Sequence, residues 1–187
     1  DSARGASHRF LRAALDPTGD ESAVFIPTVM TPDALDRFVA GQSHAIILCQ
    51  AAALRESTVG LLTDYLRNGG RIIYFLDGPA DRDNLALLSN DTENGIKLPF
   101  QPGAYITPES GAYAMLTSAN YEEPMLRKFR DTSALADLHF FSYFETRREE
   151  SQGQVLLKYD NDSIALARTT LSLGTLLLAN FSPSLEG

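Results

Sequence analysis

The stretch AIILCQAAALRESTVGLLTDYLRNGGRIIYFLDG, residues 45–78, decides the fold of this chain. It begins with a short apolar run, continues with helical periodicity, stops at Gly69 and Gly70, and ends in a second apolar run before a turn. Two apolar strands connected by a helix are typical of a parallel β-α-β unit. Residues 45–48 are apolar at every position, which is expected where helices cover both faces of a parallel sheet.

The segments on either side of this unit predict further helices and strands. Helical spacing or capping residues predict helices at residues 8–15, from Thr31 onward, at 81–89 and at 124–129. Apolar or alternating runs predict strands at residues 23–26, 139–147, 154–159, 163–169 and 175–180. The early alternation predicts an α/β three-layer sandwich with a mostly parallel, doubly wound, flavodoxin-like sheet. The later strands predict an antiparallel C-terminal extension, from which residues 175–180 rejoin the central sheet.

Length and composition limit the possible classes of protein. The 187 residues, 44 % hydrophobic and 21 % charged, predict one globular domain over residues 1–187. The net charge of −8 argues against a nucleic-acid partner, because phosphate binding needs a concentrated basic surface. No apolar run reaches the roughly 18 to 20 residues that span a bilayer, so we expect no direct membrane insertion by this chain. The absence of an initiating Met leads us to expect a piece of a longer protein.

Candidate site residues lie where the predicted parallel strands end. In such sheets, ligands bind at the carboxyl ends of the strands. Cys49 and Gln50 follow the first strand of the central unit, and Asp77 and Gly78 follow the second. We therefore take Gln50, Asp77 and Gly78 as the candidate ligand-binding residues.

Two of these positions carry a candidate nucleophile. Asp77 lies where a strand-to-helix elbow would present a Cys or Ser, and it could act as a carboxylate nucleophile, but Asp before Gly-Pro is typical of a turn. Cys49 has no glycine elbow and no His close in sequence, and a free Cys is commonly buried as a small hydrophobe. We therefore favour a turn residue at Asp77 and a buried, unreactive thiol at Cys49 over a nucleophile at either position.

No pattern in the sequence predicts a metal or cofactor. The single Cys excludes an internal disulfide and a zinc site made of several thiolates. The sequence Asp160-Asn161-Asp162 resembles part of a calcium loop, but the following Gly and the distal Glu are missing, so a hairpin turn is favoured. Asp81-Arg82-Asp83 is more typical of a solvated helix start than of a ligand cluster. We predict no cofactor and no metal.

An aromatic run, His139-Phe140-Phe141-Ser142-Tyr143-Phe144, predicts one strand with two apolar faces. Core packing on both faces explains the pattern, and core packing is favoured. A strand that docks a partner is the alternative.

Several stretches resemble the class I glutamine amidotransferase-like domain of BatA-like bacterial membrane proteins, which carry an N-terminal double-transmembrane region and often a von Willebrand factor A domain. They are RFLRAAL (residues 9–15), AIIL (45–48), YLRNGGRII (65–73), LP (98–99) and GTLLLANFS (174–182). The resemblance implies membrane association through segments outside this chain. It also implies a Cys on the elbow in the catalytic relatives, where this chain has Asp77 and Gly78, and hence a degenerate, non-catalytic member.

The sequence therefore supports a main functional hypothesis and two alternatives. The main one is a non-catalytic binding or scaffolding module of an envelope-associated protein, whose partner is another protein or other domains of the parent chain. The first alternative is a hydrolase or amidotransferase-like enzyme that uses Cys49 or Asp77. The second is a ThuA-like domain that binds a small metabolite.

Overall fold

The computed structural model describes residues 6–16, 25–35, 43–49, 52–90, 95–107, 112–146 and 153–183. The helices of this part of the chain are α1 (Ala6–Leu15), α2 (Pro32–Leu35), α3 (Glu56–Arg67), α4 (Ala80–Ser89) and α5 (Pro124–Arg127). The strands are β1 (Ile46–Leu48), β2 (Arg71–Phe75), β3 (Tyr105–Ile106), β4 (Ala114–Ala119), β5 (His139–Phe140), β6 (Tyr143–Phe144), β7 (Gln154–Tyr159), β8 (Ile164–Leu171) and β9 (Gly174–Ala179).

The predicted β-α-β unit is confirmed. Strands β1 and β2 pair in parallel, with Ile46 opposite Ile72, and α3 connects them. Leu62 and Leu66 on α3 are buried, because they lie on the helix face that packs against β2 and β9. Gly69 has a φ of +92°, so it takes the left-handed conformation that commonly ends a helix.

The main sheet has seven strands in the order β1-β2-β9-β8-β7-β4-β5. Strands β3 and β6 form a separate antiparallel pair. Strand β9 lies beside β2, with Leu178 opposite Tyr74, so the prediction that residues 175–180 rejoin the central sheet is confirmed.

The prediction of a mostly parallel, doubly wound sheet is wrong. The pairs β1–β2 and β2–β9 are parallel, whereas β9–β8, β8–β7, β7–β4 and β4–β5 are antiparallel. The sheet is mixed and mostly antiparallel, so the flavodoxin-like and glutamine amidotransferase-like classification of the fold is wrong as well. Of the strands expected in a C-terminal extension, β7 and β8 instead lie within the main sheet, β5 lies at its edge, and β6 belongs to the separate pair.

Tight turns explain this difference. Strands β7 and β8 are joined at residues 160–162, where Asp162 has a φ of 66°, which confirms the predicted hairpin. Strands β8 and β9 are joined at Ser172 and Leu173, where Ser172 has a φ of 54°. Connections this short join only antiparallel neighbours, whereas a parallel pair needs a crossover of a dozen or more residues. After α4, therefore, the chain no longer alternates strands with crossover helices.

Apolar side chains form a core on each face of the main sheet. Leu176 and Leu178 of β9 belong to the cluster that α3 and α4 cover. Leu177, which points the other way, packs with Tyr159 and with Leu126 of α5 in the second cluster. Neighbouring residues of a strand face opposite sides, so one apolar strand serves both cores.

Three local predictions need correction. The prediction of one strand over the aromatic run at residues 139–144 is wrong, because the run divides between β5 and β6, which belong to different sheets. The helix predicted at residues 124–129 is only the four-residue α5. The strand predicted at residues 23–26 lies partly outside the described residues, and residues 25–30 form neither helix nor strand. In the described ranges, no helix is long and apolar enough to cross a membrane.

Candidate functional site

The structure places Cys49 and Asp77 at the same end of two neighbouring strands of the main sheet. Cys49 directly follows β1, and Asp77 follows β2 after one residue, at the carboxyl ends of parallel neighbours. The charge of Asp77 contributes to the pKa of Cys49, so the two side chains are close enough to interact. Gly78 lies in the turn before α4. Gln50 lies outside the described residues.

The turn after β2 is occupied by a carboxylate of the chain itself. The backbone N–H groups of Asp77 and Gly78 both donate hydrogen bonds to Oδ2 of Asp81, at 2.8 and 3.0 Å. Asp81 lies in the first turn of α4, and its side chain reaches back to the residues before the helix, as an acidic residue does in a capping box. The two backbone N–H groups that an elbow would offer to a ligand are therefore already hydrogen-bonded to Asp81.

A second residue of β2 completes the enclosure of Asp81. The hydroxyl group of Tyr74, which is 0 % exposed, donates to Oδ1 of Asp81 at 2.7 Å. Burial raises the pKa of Asp81 above its ordinary value, the nearby charge of Asp77 adds to this effect, and the donated hydrogen bonds oppose it. Burial and the Asp81 charge likewise raise the pKa of Tyr74. The hydroxyl group therefore stays protonated and remains a donor.

Asn84 connects this group to the chain before α3. Its amide nitrogen donates to the hydroxyl oxygen of Tyr74 at 3.1 Å and to the carbonyl oxygen of Ala52 at 3.2 Å. Its amide oxygen accepts from the backbone N–H of Leu54 at 2.8 Å. The Asp81 network, as we call Tyr74, Asp81 and Asn84, thus connects the turn after β2 to the residues before α3.

Sequence reasoning missed the Asp81 network. It placed Asp81 with Arg82 and Asp83 at a solvated helix start, which is correct for the exposed Arg82 and Asp83 but wrong for Asp81, which is buried. The signal that could have found it is the spacing of an acidic residue three positions after Gly78, with Pro79 between them.

The described surroundings of Cys49 disfavour its thiolate form. Partial burial raises the pKa of its thiol, and the negative charge of Asp77 raises it further. The thiolate is the reactive form, and a cation or a helix N-terminus normally stabilises it. His44 lies before β1, at the opposite end of the strand, and His139 lies in β5, at the opposite edge of the main sheet.

Two open pockets lie away from these residues. One, of about 400 Å³, lies near the amino ends of β1 and β2 and is lined by His44, Tyr65 and Arg71 among others. The other, of about 480 Å³, lies between α3 and α4. Neither is lined by Cys49 or Asp77. Within the described ranges, no three His, Cys, Asp or Glu side chains are grouped so that they could hold a metal ion.

An aromatic cluster lies on the surface at the β5 edge of the main sheet. The rings of Tyr113 and His139 stack with centroids 3.9 Å apart, and Phe141 meets the Tyr113 ring edge-on at 6.1 Å. All three side chains are exposed, with Tyr113 at 42 % and Phe141 at 41 %. We call Tyr113, His139 and Phe141 the aromatic surface.

The aromatic run of the sequence therefore divides between core and surface. Phe144 and Tyr143 are buried, as core packing predicts. His139 and Phe141 are exposed, so core packing does not explain them. Tyr113 was missed, because a single Tyr outside a periodic run gives no signal in the sequence.

Comparison with known proteins yields similarity of fold alone. No family model and no curated protein matches the sequence. Two cytoplasmic proteins of Salmonella typhimurium have similar structures with TM-scores of 0.55. STM3548 is 16 % identical, with 86 % of this chain and 67 % of that one covered. STM1381 is 15 % identical, with 95 % of this chain and 77 % of that one covered.

Part of a larger enzyme is similar as well. The exo-β-1,4-mannosidase Op5Man5 of an Opitutaceae bacterium aligns at 10 % identity with a TM-score of 0.55. The match covers 94 % of this chain but only 26 % of the mannosidase. None of these three proteins is described as BatA-like or as an amidotransferase, so the resemblance seen in the sequence gains no support. Membrane association through segments outside the chain stays a prediction.

Proposed function

We propose that this chain is a non-catalytic binding module whose partner is another protein or another domain of the parent chain. One observation carries the proposal: the Asp81 carboxylate binds both backbone N–H groups of the turn after β2. A nucleophile elbow uses backbone donors at this position to stabilise the oxyanion of the transition state. Here an internal group has taken those donors, so an acyl-transfer intermediate would lack its stabilisation.

The state of Cys49 supports the same proposal. A Cys nucleophile needs a base or a cation that favours the thiolate. Cys49 has instead the carboxylate of Asp77 nearby, and both burial and that charge raise the pKa of its thiol. The alternative of a Cys49-dependent hydrolase would need a residue that reverses both effects.

The aromatic surface supports the binding part of the proposal. Tyr and Phe are enriched in protein interfaces, where they bury much area with little loss of side-chain entropy. Tyr113 and Phe141 offer such area, and β5 is an edge strand of the main sheet. A partner that covers these rings would remove apolar surface from water.

A turnover assay tests the non-catalytic part. The wild-type chain, Cys49→Ala and Asp77→Asn are incubated with glutamine, a γ-glutamyl anilide and a nitrophenyl ester, and product is measured against buffer. We expect no turnover above buffer in any sample. Turnover by the wild-type chain that either substitution abolishes would contradict the proposal and restore the enzyme alternative.

A comparative binding assay tests the other part. The parent protein, tagged and expressed in its own cells, is cross-linked and its partners are quantified for the wild type, for Tyr113→Ser with Phe141→Ser, and for Leu173→Ser. Leu173 is the matched control, since it is 82 % exposed in a turn away from the aromatic surface. We expect the double variant to lose about tenfold or more of one partner, and the control to keep it. Equal recovery from all three proteins would contradict a binding role for this surface.

A further inference from the structure

We propose that the turn between β2 and α4 is a carboxylate-binding site which the chain fills with its own Asp81, and which takes a small monocarboxylate when that side chain is removed. The proposal goes beyond the non-catalytic function, because it concerns the ligand class of the turn itself. The three donors of the site are the N–H groups of Asp77 and Gly78 and the hydroxyl group of Tyr74.

The donors converge on the two oxygens of one carboxylate. Oδ2 of Asp81 accepts from the two backbone groups at 2.8 and 3.0 Å, and Oδ1 accepts from Tyr74 at 2.7 Å. Both oxygens are thus bound by groups with the geometry of good hydrogen bonds. The carboxylate is buried, with Asp81 only 2 % exposed, while Asp77 and Gly78 are half-buried.

Contacts other than those with Asp81 hold the donors in place. Tyr74 belongs to β2, between β1 and β9, and its hydroxyl oxygen accepts a hydrogen bond from Asn84. The carbonyl oxygen of Asp77 accepts from the hydroxyl group of Tyr105 at 3.1 Å. Removal of the Asp81 side chain therefore leaves three oriented donors around a space of carboxylate size. Unpaired buried donors are costly, which favours the entry of a replacement acceptor.

Charge and size define the ligand class. All three donors are neutral, and the nearby charge of Asp77 disfavours negative charge at the site. A monoanion should therefore bind better than a dianion such as phosphate. In Asp81→Ala the methyl group remains, so formate fits the space that is left. Acetate needs the additional room of Asp81→Gly.

The experiment measures the melting temperature of Asp81→Ala in formate, chloride or phosphate at equal ionic strength. Asp83→Ala is the matched control, since Asp83 is an exposed acid in the same helical turn. At about ten times its Kd, formate should raise the melting temperature of Asp81→Ala by about 3–6 °C over chloride. It should leave Asp83→Ala and the wild type unchanged. An equal shift in formate and chloride, or in both variants, overturns the proposal.

A second readout covers the case in which Asp81→Ala does not fold in chloride. The variant is then refolded from denaturant in each salt, and the folded fraction should be larger in formate. Equal recovery overturns the proposal. Asp81→Asn fills the site with a neutral amide and should show no formate-specific shift, and Asp81→Gly should respond to acetate. All of these readouts come from variants, whereas turnover and partner binding are read in the wild type. Failure of the carboxylate-site proposal can therefore be distinguished from failure of the proposed function.

Discussion

The two ends of the main sheet use their side chains in opposite ways. At the parallel end, Tyr74, Asp81 and Asn84 are buried, and their polar atoms bind one another and the backbone around them. At the antiparallel end, the rings of Tyr113 and Phe141 face water. At the parallel end the hydrogen-bond donors are paired within the chain, whereas at the antiparallel end apolar surface remains exposed.

Asp81→Ala should have the largest effect on stability. It leaves the hydroxyl group of Tyr74 and two backbone N–H groups without their acceptor in a buried site, so we expect the free energy of unfolding to fall by about 3 kcal/mol. Denaturant unfolding in chloride measures it, with Asp83→Ala as the control that changes by less than about 0.5 kcal/mol. Equal losses in the two variants would show that the Asp81 network does not stabilise the turn.

Asn84→Ala should have the next largest effect. The backbone N–H of Leu54 loses its acceptor, and the carbonyl oxygen of Ala52 loses a donor, so we expect a loss of about 2 kcal/mol. Asn90, which is exposed at the end of α4, provides the matched Asn→Ala control. If both substitutions have the same small effect, the connection between α4 and the chain before α3 contributes nothing to stability.

The pH dependence of stability should differ between the wild type and Asp81→Asn. Burial raises the pKa of Asp81, so its contribution to stability is complete below the ordinary Asp value of about 4 and is lost as the pH rises through the raised value. The wild-type free energy of unfolding, measured relative to Asp81→Asn, should therefore fall above about pH 4, by at most about 1.4 kcal/mol per pH unit. Denaturant unfolding at a series of pH values measures this difference. A relative stability that rises with pH would mean that the hydrogen bonds outweigh burial.

The aromatic surface should show the smallest effect on stability. Tyr113→Ser with Phe141→Ser removes exposed rings rather than core, so we expect the free energy of unfolding to change by less than about 1 kcal/mol. Unfolding of this double variant alongside Phe144→Leu, which alters a fully buried ring, gives the contrast. A large loss in the double variant would assign the exposed rings to the core and remove the distinction between the two ends.

The sequence predicted those parts of the fold that depend on local signals. The β-α-β unit follows from apolar runs and helical spacing, and the end of α3 follows from Gly69. The sequence also predicted the β7–β8 hairpin and the return of β9 to the central sheet, but not that β7 and β8 join that sheet as well, because their place depends on the pairing of β9 with β2, which is distant in the sequence. At the candidate site, the sequence correctly placed Cys49 and Asp77 at the carboxyl ends of neighbouring parallel strands. The spacing of Asp81 after Gly78 could have indicated its contact with the turn, but its burial could not be predicted, because that depends on Tyr74 and on packing.

Hydrogen exchange at the turn after β2 tests the central claim most directly. The claim is that the Asp81 carboxylate holds the backbone N–H groups of Asp77 and Gly78. Exchange of these two amide protons, followed by NMR in the wild type and in Asp81→Asn, Asp81→Ala and Asp83→Ala, reports whether they are bound. We predict slow exchange in the wild type and in Asp83→Ala, and much faster exchange in Asp81→Ala. Exchange in the wild type as fast as in an unstructured chain would contradict the account, because the donors would then be free to bind a ligand.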